Sequence, residues 1–105
     1  MNIPIKTLQC FLILVETENF TRAAQKCFIT QPTLSKIIQR LEESVGETLL
    51  IRNNQKVELT QAGQLFEHSA REILGQWHRL QEDMSNLSGL KSGRLRLGVC
   101  PMMSS

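Results

Sequence analysis

The stretch Ala23-Ala24-Gln25-Lys26-Cys27-Phe28-Ile29-Thr30-Gln31-Pro32-Thr33-Leu34-Ser35 decides how this chain folds. Pro32 lacks an amide hydrogen, and a helix tolerates it only in the first turn, where amides have no intrahelical acceptor in any case. A helix therefore starts at Thr30 or Gln31. Leu34, Ile37, Ile38, Leu41 and Val45 follow at helical spacing and form an inward stripe. Gly46 supplies the left-handed residue that closes such a helix. Thr33, Lys36, Gln39, Arg40 and Glu43 fall on the opposite, polar face. Upstream, Thr21 offers an N-cap hydroxyl to a short helix from Arg22 to about Phe28. Within it, Ala23 and Ala24 are small enough to let another helix approach closely. Ile29-Thr30-Gln31 between the two helices is long enough only for a tight turn.

Toward the amino terminus, Ile5, Leu8, Leu12 and Val15, with Phe11 beside them, predict a helix from about Lys6 to Thr17 with one face inward. Toward the carboxyl terminus, Leu49 to Arg52 and Val57 to Thr60 read as two strands. They flank Asn53-Asn54-Gln55-Lys56, where asparagine tolerates the backbone of a turn. A long helix from about Gln61 to Leu87 follows, with a stop at Ser88-Gly89 and Leu90 folding back on the last turn. Gly63 and Gly75 weaken its regularity. Leu90 to Gly93 reads as a connector, and Gly93 to Val99 alternates as a strand does. The fold expected is mainly α: a winged helix-turn-helix of three helices plus a β-hairpin wing, followed by a long linker helix. The divisions are 1–60 for the winged domain, 61–89 for the linker and dimerisation helix, and 90–105 for a hinge and the first strand of a truncated further domain.

The long helix carries Phe66, Ala70, Ile73, Trp77, Leu80, Met84 and Leu87 in steps that alternate between 4 and 3. A period of about 3.5 residues describes the narrow seam of a coiled coil, which predicts a homodimer. The same stripe could instead cover the chain's own winged domain.

The formal net charge of +2 is too mild to identify an anionic partner. Its distribution says more, because Asn19 to Leu41 holds Arg22, Lys26, Lys36 and Arg40 and no Asp or Glu. A surface that faces phosphates has this character. The three cysteines, Cys10, Cys27 and Cys100, show no metal or redox spacing, so Cys10 and Cys27 are expected as small core residues in a reducing cytoplasm. The apolar run Leu8 to Val15 is followed by Glu16 and Glu18, and is too short for a membrane span or a signal core. No cofactor, metal or membrane partner is expected.

A third helix projecting from a small core suits the major groove, about 12 Å wide, of double-stranded DNA. At its start Thr30, Gln31, Pro32 and Thr33 would meet the duplex. Gln31 can pair with adenine, Thr33 can donate or touch a thymine methyl, Ser35 is a shorter polar probe, and Lys36 can reach guanine or the backbone. Gln39 extends the same polar face. Arg22, Lys26 and Arg40 suit phosphates, and Thr21 stands beside them. On the wing, Arg52 and Lys56 suit a phosphate or the minor groove. Each feature has a plainer reading, since a polar helix face can simply be solvated and a hairpin can simply be a hairpin. A module that docks onto another protein is the competing function, and the acid-free run argues against it. His68, Ser69 and Glu72 cluster on one helix, but no oxyanion hole or pocket accompanies them, so no catalytic residues are assigned.

The segment Ala23 to Ser35, then Ile38, Leu41-Glu42, Gly46, Leu49, Arg52 and Leu59-Thr60-Gln61-Ala62-Gly63, resembles the amino-terminal region of LysR-type transcriptional regulators. The likeness runs over almost the whole chain. Cys27 and Leu50 depart from the family's usual Leu and Phe, both at core positions. The resemblance implies sequence-specific operator binding by a homodimer, often assembled into a tetramer, with paired linker helices and two winged domains on a partly palindromic site. It implies Gln31, Pro32, Thr33, Ser35 and Lys36 at the groove and Arg52 on the wing. It also implies a small-molecule effector bound only by a missing carboxyl-terminal domain, whose pocket-lining loop Cys100 to Ser105 resembles.

Overall fold

The computed structural model describes residues 1–53 and 56–93. In order these form α1 (Ile5–Thr17), α2 (Phe20–Cys27), α3 (Gln31–Val45), β1 (Leu50–Asn53), β2 (Lys56–Leu59) and α4 (Gln61–Gly93). Two compact units are present, Met1–Leu74 and Gly75 onward, so the first part of α4 belongs to the helix-and-hairpin unit.

In α1 the buried set is Leu8, Cys10, Phe11, Leu12 and Leu14, with Ile5 and Val15 only half-buried. The inward surface is wider than a single stripe because α2, α3 and β2 all pack against this helix. Phe11 meets Phe66 of α4 edge to face, with ring centroids 5.0 Å apart.

The cap of α2 differs from expectation. Asn19, not Thr21, is the N-cap, and its side-chain oxygen accepts from the Arg22 N–H at 2.9 Å. Asparagine caps at least as well as threonine, and starting two residues earlier brings Phe20 into the helix with its ring buried. Phe28 then closes the helix in a left-handed conformation (φ 61°), its N–H bonded to Gln25 O and that of Ile29 to Ala24 O. These two bonds satisfy carbonyls the helix end leaves open.

The third helix begins as Pro32 requires. Thr30 is its N-cap, with Oγ1 accepting from the Thr33 N–H at 3.3 Å, and Gly46 ends it at φ 82°. Leu34, Ile38 and Leu41 are buried; Ile37 and Val45 are half-buried. The strands pair antiparallel in the register Leu50↔Leu59, Ile51↔Glu58, Arg52↔Val57 and Asn53↔Lys56. Asn53 and Lys56 are therefore strand residues and not part of the turn, while Asn54 and Gln55 lie outside the described residues. Glu42 of α3 ties down the start of the hairpin by accepting the N–H groups of Leu49 (2.8 Å) and Leu50 (3.1 Å).

Thr60 joins hairpin to α4. Its hydroxyl donates to Thr48 O and accepts from the Gly63 N–H, and its own N–H donates to Leu49 O. Arg71 of α4 bridges Glu67 at 2.9 Å and Glu16 of α1 at 3.5 Å. The expected stop at Ser88-Gly89 is not where the helix ends, for α4 continues through Leu90 to Gly93. A glycine inside a helix costs only about 1 kcal/mol relative to alanine, too little by itself to end one. The strand expected at Gly93 to Val99 and the loop from Cys100 to Ser105 fall, from residue 94 on, outside the described residues. Among the described residues no helix is long and apolar enough to cross a membrane.

The apolar series of α4 divides. Ala70 is buried in the core of the first unit and Phe66 packs against it, together with Leu74, which lies outside the series. Ile73 stays 46% exposed; in the second unit Trp77, Leu80, Met84 and Leu87 are 36%, 50%, 53% and 38% exposed. The plainer reading, a stripe that covers its own domain, thus holds for Phe66 and Ala70, and the coiled-coil seam remains available only from Ile73 onward.

Candidate nucleic-acid interface

With Asn19 as the cap, Phe20 and Thr21 occupy the first turn of α2 and meet the start of α3 and the wing. A groove of about 470 Å³ is lined there by Asn19, Phe20, Thr21, Gln31, Arg52, Lys56 and Val57. It brings together four residues expected from different elements, Thr21, Gln31, Arg52 and Lys56. Among the described residues no acidic side chain lines it, and the acid-free run from Asn19 to Leu41 supplies Asn19, Phe20, Thr21 and Gln31 of that lining.

Short polar contacts order this surface. Thr21 Oγ1 donates to Gln31 Oε1 at 3.1 Å, so Thr21 serves as a brace for Gln31 and not as a helix cap. Arg52 reaches from β1 to α3, its Nη2 donating to Ser35 Oγ at 3.5 Å. Its guanidinium carbon stands 4.0 Å from the centroid of the Phe20 ring, a cation–π distance. Thr30 and Thr33 share a hydroxyl hydrogen bond of 2.8 Å, which commits the Thr30 side chain to closing the helix start.

Thr21, Arg22, Thr30, Gln31, Pro32, Thr33, Lys36, Gln39, Arg40, Arg52 and Lys56 are all exposed, and Ser35 is half-buried. They do not form one cluster. Arg40 lies instead beside Asn2, Ile3, Pro4, Thr7 and Ile37, at the start of α1. Lys36 and Gln39 lie along α3, while Arg22 and Lys26 ride on α2.

Sequence reasoning missed Phe20 and the part played by Glu42. Phe20 precedes the helix start expected at Arg22, so its ring had no assigned neighbour; an aromatic directly after Asn19 at a cap was the available signal. Of His68, Ser69 and Glu72, the first and last make an exposed contact, His68 Nε2 to Glu72 Oε2 at 3.6 Å, one helical turn apart.

Residues 5–64 match the family described as bacterial regulatory helix-turn-helix protein, lysR family. The DNA-binding transcriptional dual regulator OxyR of Escherichia coli K12 is 40% identical over 97 residues, covering 92% of this chain and 32% of its own length. The chain thus spans about a third of that relative. Among solved structures, Vibrio fischeri DarR in complex with DNA superposes with a TM-score of 0.80 at 39% identity, covering 86% of this chain and 31% of that one. The BenM DBD chain in its catB site 1 DNA complex gives 0.78 at 34% identity, covering 82% of this chain and 96% of that one.

Proposed function

Since the chain belongs to the lysR family of bacterial regulatory helix-turn-helix proteins, we propose that it is a sequence-specific regulator of transcription, placing α3 in the major groove of operator DNA and the wing alongside. The observation that carries this is the groove where Thr21 and Gln31 meet Arg52 and Lys56 without an acidic neighbour. DNA presents acceptors on base edges and phosphate oxygens beside them, and this surface presents amide and guanidinium donors. Gln31, Thr33, Ser35 and Lys36 take the base edges; Arg22, Gln39 and Arg40 take the backbone; Arg52 and Lys56 act from the wing. Thr30 and Pro32 shape the helix start.

In the same reading the chain acts in the cytoplasm as a homodimer, and as a tetramer where two dimers share a site. It works by binding and not by catalysis. Residues 1–60 carry the contacts and 61–89 pair the copies, while a small-molecule effector would be held by a domain to which 90–105 lead. These relatives are named for regulating transcription, which supports the reading.

Selection of bound sequences from a random DNA pool tests it. The expected product is a partly palindromic consensus whose half-sites lie about one helical turn, or a multiple of it, apart. A pool that shows no enrichment over several rounds at low salt sinks the proposal and favours a protein-docking module.

A further inference from the structure

We propose that Phe20 is the positioning residue for Arg52, its ring fixing the guanidinium where the wing meets α3, so that this cation reaches the duplex already oriented. This rests on the groove being the DNA-facing surface.

Phe20 is only 8% exposed, so its ring offers a duplex almost nothing directly. Asn19 caps α2 immediately before it, which fixes the backbone that aims the ring. Arg52 is held from two sides, by the ring face at 4.0 Å and by Ser35 Oγ at 3.5 Å. Its own strand is registered by the Arg52↔Val57 pair, and Val57 is buried.

The choice of partner matters chemically. A carboxylate would orient an arginine equally well, but it would neutralise the charge and occupy the N–H fork. An aromatic face does neither: the guanidinium carbon lies over the ring, and the donors other than the one Nη2 gives to Ser35 stay available to phosphate or base acceptors. Among the described residues no acidic side chain lines this groove, and the Phe20 ring supplies the second arrangement. Binding then has less side-chain freedom to remove, which raises affinity without a new contact to DNA.

A double-mutant cycle on the whole chain separates positioning from plain packing. Affinity for the selected DNA is measured by fluorescence anisotropy at fixed salt for the wild type, Phe20→Leu, Arg52→Ala and the double variant, with thermal melting alongside. Phe20→Leu should weaken binding about two- to fivefold while Arg52 is present, the range of an exposed cation–π contact, and should cost nothing further in the Arg52→Ala background. Phe20→Tyr, which keeps the ring, should restore wild-type affinity. Equal losses in both backgrounds, or no loss in either, would overturn the positioning role. If Phe20→Leu does not fold, Arg52→Lys takes its place: the charge is kept and the flat stacking surface is lost, so affinity should fall at least about twofold with an unaltered salt slope. Unchanged affinity in that variant overturns the inference. A wild type that binds no selected DNA defeats the functional reading itself, whereas a wild type that binds, with Phe20 indifferent, defeats only this one.

Discussion

Cys10 of α1 and Cys27 of α2 are both buried in the same core, with their thiols close enough to influence each other. Burial, then the hydrogen bond and charge of Cys27, push the Cys10 thiol up from 9.0 to about 12, against a smaller opposing pull from Lys6. The folded state therefore holds the neutral thiol more tightly than the unfolded chain does. Its contribution is complete below pH 9 and is lost progressively as pH rises from there toward 12. Thermal melting of the wild type should decline over pH 9 to 11 more steeply than that of Cys10→Ala, which lacks this thiol and keeps Cys27. Parallel declines would assign the alkaline loss to other groups. The expectation that these cysteines are core residues holds, and a thiol this hard to ionise is a poor nucleophile.

At the scale of elements, two glycines of α4 separate helix propensity from packing. A Cβ at Gly63 would run into the Leu49 carbonyl oxygen and lie 3.0 Å from Leu59 Cδ2, backbone and side chain of the hairpin on which α4 starts. A Cβ at Gly75 would meet nothing within 4 Å. Alanine gains about 1 kcal/mol of propensity at either position, but crowding against backbone costs about 1 to 3 kcal/mol. Gly63→Ala should therefore lower the denaturation midpoint of the first unit, and Gly75→Ala should raise or preserve helicity; equal effects would contradict the close approach. The contrast also explains what was legible in the sequence. The start and end of α3 were, because Pro32 and Gly46 act through backbone constraints that no neighbour can override. The cap of α2 was not, since Asn19 and Thr21 are both competent caps and burial of Phe20 decides between them. The end of α4 was misread because Ser88-Gly89 only weakens a helix. In the site, residue types were readable but contacts between elements were not: nothing local in the sequence links Thr21 to Gln31, Arg52 to Phe20, or Glu42 to the wing.

For the whole molecule, the divided fate of the α4 series determines where dimerisation can be tested. Asp at Phe66 or Ala70 would damage the core of the protomer itself, so loss of a dimer there would carry no information. Leu80 and Met84 are 50% and 53% exposed and lie outside the Met1–Leu74 unit, so charges there leave that unit's packing untouched. Burying a leucine or methionine is worth roughly 1.5 to 3 kcal/mol, and a two-fold interface uses each position twice. Replacing Leu80 and Met84 together with Asp should therefore raise the dimer Kd by at least about a hundredfold. Light scattering should report a monomer whose first unit still melts as the wild type does. The consequence for DNA follows from symmetry: a dimer engages two half-sites at once, and the second contact is made at the high effective concentration of a tethered domain. The Asp variant should lose affinity steeply for DNA carrying both half-sites and keep wild-type affinity for a single half-site. A persistent dimer would show that the copies pair through another surface, and a monomer that binds both DNAs equally would remove pairing from the mechanism of recognition.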